Sequence, residues 1–479
     1  MFLSKSVVYS TSRSNEQEIY YYSFSEIASA PDCLALFRQA EQAELIKCFW
    51  QTPDQSLQFL GIGALESYQA VTLDSLKQIK ANLASRWQQV ANPNTNALQG
   101  LLQPAILFGG LAFDESMHEK SVWQELANGY FVVPEILLQI TPTASLVHYN
   151  VRATHLAQAE EKHQQLKAQF EKLVAASSFA QSSNQQLEPA LAAPLNWQYV
   201  NEASWLELAE KTIAKLCQQP SPLKKVVLAR RLQFEAASLQ ASSWLANLIA
   251  QQPNTYRFFL EGESRIFAGA TPERLLKATA THFETASVAG SIRRGTTKKE
   301  DQELAEQLLN DPKNTQEHQI VVARIEAQLA AFIEGSLVLG ERTILKNQMI
   351  QHIYLPLAGK RQQNIDFLSV IAALHPTPAL GGEPKELALA WLRQYEGFNR
   401  GLYGAPIGWQ SILSDEGEFA VGIRSAVVAK EKKSVKGQLF AGCGIVADSK
   451  AVEELAETAL KFEPMKRSLA IDEPSTSHD

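Results

Sequence analysis

Only four cysteines occur in 479 residues: Cys33, Cys48, Cys217 and Cys443. None forms a CxxC pair, and no metal-ligand spacing is present. They read as reduced thiols, which suits a cytoplasmic protein. A basic block is also missing, since 44 Lys and Arg stand against 51 Asp and Glu for a net charge of −7. Nucleic acid needs clustered cations to displace counterions from its phosphates, so no such partner is expected. The run Lys430-Glu431-Lys432-Lys433 is short and broken by an acid. No apolar run approaches the length of a membrane span. The start, Met1-Phe2-Leu3-Ser4-Lys5, has no charged leader ahead of a long apolar core, so neither a membrane nor a signal peptide is expected. Internal repeats are absent.

What is present is ordinary globular composition, 45% hydrophobic and 20% charged. A chain of this length can hold a carboxylate or a lysine in a water-poor cleft. Ile106 to Phe113 reads as a buried strand with a glycine bend, and Tyr130-Phe131-Val132-Val133 as a strand ended by Pro134. His155 to Ala176, rich in Ala, Glu, Gln, Lys and Leu, predicts a helix. Residues 179–196, with their Ser, Gln and Pro, form a surface loop or linker between residues 1–178 and residues 197–465. Arg257 to Leu260 and Arg265 to Ala268 predict a hairpin. A helix is expected from Glu300 to Leu309, stopping near Pro312, with another from about Thr315 to Phe332. Residues 466–479 are polar and expected to be disordered.

Several short blocks could carry chemistry. Lys225 stands at the edge of the apolar Val226-Val227-Leu228-Ala229. Desolvation there would lower its pKa toward that of a general base, although most such lysines are simply solvated. Thr271-Pro272-Glu273 follows Phe267-Ala268-Gly269-Ala270; a buried Glu273 would be a general acid, and the same tripeptide also reads as a helix start. Glu317 lies early in a predicted helix, while Glu454 and Glu457 share one helical face. Carboxylates of this kind suit magnesium, and equally a solvated surface. Ala441-Gly442-Cys443-Gly444-Ile445-Val446 lets backbone N–H groups approach an anion, or is a plain strand–turn–strand. Arg424 could pair bidentately with a carboxylate. His375 sits in a rigid proline- and glycine-rich loop running to Gly382.

Taken together and in order, these blocks resemble the chorismate-utilising enzymes (the anthranilate synthase component I-like family), and within them most closely the isochorismate synthases. The blocks are Lys225 to Arg230, Phe267 to Leu275, Ala289-Gly290-Ser291 with Arg294-Gly295, Glu317-His318, His375 to Gly382, Arg400 to Gly404, Gly422 to Ala426, Ala441 to Val446, and Glu454 through Lys461. They cover residues 197–465; Phe108 to Phe113 extends the likeness loosely into the first half.

The resemblance implies a role for each. Lys225 would activate water and Glu273 protonate the departing ring hydroxyl. Glu317 and Glu457 would hold Mg2+, with Glu454 behind a metal-bound water. Gly290, Ser291, Tyr403, Arg424, Gly442 and Lys461 would bind the carboxylates of chorismate, with His375 near the ring. Lys225 together with Ala379 favours addition of water, because relatives that add ammonia usually lack the lysine and carry threonine-type chemistry at the second position. The result would be an isomerase that feeds a menaquinone, siderophore or salicylate route, with no organic cofactor and no glutaminase subunit, as a monomer. A salicylate synthase, or an inactive chorismate-binding relative, is the alternative. The implied fold is α/β (α+β): two large facing, mainly antiparallel sheets with helices outside, which residues 1–178 complete. One departure is Leu455-Ala456 where the family usually has a bulky aromatic between the two glutamates.

Overall fold

The structure, a computed structural model, describes residues 18–29, 32–95, 98, 103–117, 121–180, 188–193, 195–218, 220–346, 350–430 and 434–470. The first 180 residues supply β1 (Tyr20–Ile27), α1 (Cys33–Gln42), β2 (Lys47–Gln51), β3 (Gln58–Ile62), β4 (Glu66–Gln69), α2 (Leu73–Ser85), β5 (Trp87–Val90), β6 (Ile106–Gly110), β7 (Tyr130–Val133), β8 (Ile136–Ile140), β9 (Ser145–Ala153) and α3 (Leu156–Ala180). The middle holds β10 (Asn196–Tyr199), α4 (Glu202–Cys217), β11 (Lys225–Ala236), α5 (Ala241–Gln251), β12 (Tyr256–Glu261), β13 (Arg265–Thr271), β14 (Arg274–Ala278), β15 (His282–Arg293), α6 (Lys298–Asn310) and α7 (Pro312–Leu329). The remainder is β16 (Ile333–Leu339), β17 (Thr343–Lys346), β18 (Ile350–Arg361), α8 (Phe367–Leu374), β19 (Gly382–Glu383), α9 (Lys385–Tyr395), β20 (Pro406–Ser411), β21 (Gly417–Val421), β22 (Ser425–Lys430), β23 (Val435–Ile445) and α10 (Ala451–Leu469).

Among the described residues these strands form two sheets. The larger runs β10-β11-β23-β22-β13-β12-β2-β3-β8-β9-β1-β5, with β19 added beside β11. The smaller runs β16-β18-β15-β14-β21-β20-β6-β7-β4, with β17 beside β18. Nearly every pairing is antiparallel; β1 with β5 is parallel. Strands from residues 1–178 lie in both sheets, so neither sheet belongs to one half of the chain.

The residue pattern explains the layering. In β12, Phe258 and Leu260 pack with Trp50, Phe108, Phe267 and Trp409 between the sheets. Phe259, one position along, faces the opposite side, against Phe37 of α1 and Trp244 of α5. A strand buried on both faces reads as a continuous apolar run, because side chains alternate across it. The β12–β13 hairpin has the expected strands, closed by the Gly262 N–H donating to the Arg265 carbonyl at 2.8 Å.

The break expected near Pro312 is present: α6 ends at Asn310, and Pro312 opens α7, with the Asp311 carboxylate accepting from the Asn314 N–H at 2.8 Å. Proline has no N–H to lose at that position. Three expectations need correction. Of the polar tail expected over residues 466–479, the first residues are helical, and residues 471–479 lie outside the described residues. Residues 466–469 belong to α10, where Ser468 accepts from the buried Trp244 indole at 3.1 Å and Leu469 packs in the core. The stretch 179–196 is partly packed: Ala190 and Leu191 are buried, and Ala180 still belongs to α3; residues 181–187 lie outside the described residues. Gly442 to Gly444 make no turn, since β23 runs straight through them.

Glu418 of β21 fastens the sheets to each other. It is buried, accepts from the Tyr256 hydroxyl at 2.7 Å and pairs with Arg274 Nε at 3.0 Å. Glu418→Ala would strip Arg274 of its buried partner and leave it only the longer ion pair with Glu284 at 3.6 Å, so a loss of about 2–3 kcal/mol of stability is expected. Denaturant unfolding reads this directly, and a loss below about 1 kcal/mol would mean water or a neighbour replaces the carboxylate.

Candidate active site

Lys225 begins β11, with neighbours on both sides. Val227 pairs with Gly444 and Ala229 with Gly442 of β23, while Lys225 itself pairs with Glu383 of β19. The lysine stem lies over Gly444: a Cβ there would come within 2.4 Å of its Cε and 3.1 Å of its Nζ. Glycine at 444 is therefore the space the lysine occupies. Burial is the main influence pulling the Lys225 ammonium below its ordinary range, helped by the Arg324 and Lys461 cations and opposed by Glu273 and Glu383. Gly444→Ala is expected to keep the fold, since the displaced atoms end a flexible chain, but to cut turnover roughly tenfold or more by moving the amine. An unchanged kcat would show that the amine reaches its place by another path.

Glu273 stands where the chain leaves one sheet for the other, between β13 of the larger and β14 of the smaller. It is not in a helix, so the helix-start reading of Thr271-Pro272-Glu273 fails. Its carbonyl accepts from Val421 N–H at 3.0 Å, and its own N–H donates to Thr271 Oγ1 at 3.3 Å. The carboxyl keeps some surface in the cleft yet is surrounded by protein. Burial raises its pKa to about 7, against the pull of the Lys225 cation. A depressed amine and a raised carboxyl thus sit within each other's field.

Cations and backbone groups gather around them. Arg424 has a left-handed backbone, φ 50°, and its carbonyl accepts from Ala270 N–H at 3.0 Å. Its guanidinium makes no ion pair among the described residues; burial lowers its pKa, with Tyr403 and Glu457 opposing. Tyr403 is buried and stacks on Phe440 with centroids 5.0 Å apart. Its hydroxyl would lie 3.0 Å from a Cβ at Gly442. Lys461 of α10 donates to the Gly442 carbonyl at 2.8 Å and pairs with Glu457 at 2.6 Å. Glu454, one turn earlier, accepts from Ser449 Oγ at 2.8 Å.

Gly290 marks a bulge where the β15–β18 register shifts, and its φ of 75° needs glycine. A Cβ there would meet Asn314 Oδ1 at 3.1 Å, which puts the start of α7 against the bulge. Glu317 lies one turn further along α7; its side chain, like that of Ser291, is outside the described residues. No group of three or more His, Cys, Asp or Glu side chains placed for a metal occurs among the described residues.

His352 was missed by the sequence reading. It lies opposite Ser291 on β18, and burial lowers its pKa to about 4, aided by Arg424 and Lys461 and opposed by Gly290. No local pattern marks it; only the pairing with the glycine bulge does. His375, expected beside the ring, has these protein partners. It follows α8, its Nε2 lies 3.1 Å from the Phe113 carbonyl, and its own carbonyl accepts from Lys385. Ala379 is exposed in the adjoining turn. A separate cavity of about 1030 Å³ includes Gln103, Lys360, Arg361 and Asp415 in its lining and none of the residues above. Its charges pair among themselves, Arg361 with Asp415 and Lys360 with Glu334.

This chain belongs to the chorismate binding enzyme family, whose model matches residues 5–470. Among its relatives, the isochorismate synthase MenF of Bacillus subtilis is 31% identical over 454 residues, covering 93% of each chain. The salicylate biosynthesis isochorismate synthase of Pseudomonas aeruginosa is 30% identical over 442 residues, 92% of this chain and 88% of that one. The fold is shared with MenF, the menaquinone-specific isochorismate synthase from Escherichia coli, at TM-score 0.73 and 23% identity over 95% of both chains. It is shared also with anthranilate synthase component I from Streptococcus pneumoniae, at TM-score 0.64 and 18% identity, covering 98% of this chain and 95% of that one. Among the described residues no helix is long and apolar enough to cross a membrane.

Proposed function

We propose that this protein is an isochorismate synthase, an isomerase that converts chorismate to isochorismate. The observation that carries the reading is the pair formed by Lys225 and Glu273, whose surroundings push a base and an acid toward the same working range. Lys225 Nζ takes a proton from the attacking water while the Glu273 carboxyl gives one to the departing ring hydroxyl, so the exchange of water for water is neutral overall. A dianionic substrate needs cations, and Arg424 and Lys461 supply them, with Tyr403, Gly290 and Gly442 shaping the pocket.

Magnesium is the proposed cofactor. Glu457 is exposed, Glu454 lies one turn away, and Glu317 stands near the bulge at Gly290. Carboxylates from two helices, completed by water and substrate oxygens, suit this small, hard ion. When bound it supplies positive charge that orients the ring carboxylate. The same reading takes the protein to be cytoplasmic and monomeric, working without a glutaminase subunit, and supplying a menaquinone, siderophore or salicylate route.

Purified protein given chorismate and magnesium, with and without ammonium, tests the assignment by chromatography. Isochorismate as the product in both cases is expected. Salicylate with pyruvate, an ammonium-dependent amino product, or no product would each overturn it.

A further inference from the structure

A lysine base is useful only if no carboxylate holds its proton. Glu383 is the obvious candidate to do so. It lies directly across from Lys225 on β19, where facing side chains share one side of the sheet and opposite charges attract. The two strands are locked there, with Lys224 N–H donating to the Glu383 carbonyl at 2.7 Å. Yet Lys225 makes no ion pair among the described residues, and the Glu383 carboxylate is taken by Arg324 of α7. Arg324 comes from a helix that packs on the smaller sheet, whereas Glu383 and Lys225 belong to the larger one. The ion pair therefore spans the cleft beside the amine.

We propose that Arg324 is a positioning residue for Lys225: by engaging Glu383 it keeps the facing carboxylate off the lysine and leaves the amine free to accept a proton. This rests on the reading of Lys225 as the base. The charged groups facing the amine are Arg324 from α7, Lys461 from α10, Glu273 from the β13–β14 crossing and Glu383 from β19. Removing Arg324 takes away a cation and releases a carboxylate. Both changes favour the ammonium, so the amine should titrate at higher pH.

Trace acetylation with acetic anhydride across a pH series reads the neutral amine directly, with fragment ions separating Lys225 from Lys224. In Arg324→Ala the Lys225 midpoint is expected to rise by about one unit, roughly a tenfold loss of neutral amine near neutrality. In Arg324→Ala with Glu383→Gln it is expected to return most of the way, because the freed carboxylate is gone. A merely structural role for Arg324 would not be rescued by deleting its partner. An unmoved midpoint in the single variant, or no recovery in the double, overturns the proposal. Turnover on chorismate by the same proteins keeps the two readings apart. If the midpoint moves and recovers while turnover does not change, the role of Arg324 in shielding the amine stands and Lys225 is not the base.

Discussion

Lys225→Ala is expected to lower kcat by about a thousandfold while KM for chorismate changes little, since general bases contribute roughly 10²- to 10⁴-fold. The lysine stem fills the space above Gly444, and alanine leaves that space open to water. Arg424 and Lys461, the cations proposed to bind the substrate carboxylates, come from other elements and stay in place. Steady-state kinetics with chromatographic detection measures both constants. A variant within tenfold of the parent would remove Lys225 from the mechanism, and a large rise in KM with kcat kept would make it a binding group.

Glu273→Gln is expected to be as damaging, because an amide cannot give up a proton to the departing hydroxyl. The parent enzyme should also lose turnover as pH rises through about 7, where this acid gives up its proton. Stability runs the same way. The folded carboxyl titrates near 7 and the unfolded one at 4.5, so its contribution is fully present below about 4.5 and is lost as pH rises through 7. The shift corresponds to at most about 3 kcal/mol, less what the water in the cleft screens. Glu273→Gln should therefore melt above the parent at pH 8 and near it at pH 4.5. A variant that melts lower at pH 8 would show that the carboxylate is held by favourable contacts.

Local pattern reached the strands and helices whose signals lie within a few residues. The β12–β13 hairpin, β7 ending before Pro134, and α6 are of that kind. The break at Pro312 is of that kind too, since a proline stops one helix and can start the next, and Asp311 caps the second. The site was legible through the resemblance and only weakly through its residues. The apolar run after Lys225 allows a disfavoured ammonium without supplying the deciding contact. That comes from Gly444, which makes room for the stem, and from Arg324, which takes the facing carboxylate. His352 was invisible for the same reason, being defined by a bulge on the neighbouring strand. His375 stands in a motif-like loop, and the sequence does not show that its partners are Phe113 and Lys385.

The interleaving of the sheets also governs how such a protein can be made. Phe49 pairs with Phe259, Leu107 with Gln410, and Ala229 with Gly442. A nascent chain stopped before Val435 would already carry Lys225 and Glu273, yet β11 would have no β23 beside it. Contacts this distant in sequence close slowly, and bare strand edges recruit one another between molecules. Until residues 435–445 leave the ribosome, β11 keeps an open edge and lacks the strand whose glycines seat Lys225, so the site can assemble only after β23 has been made.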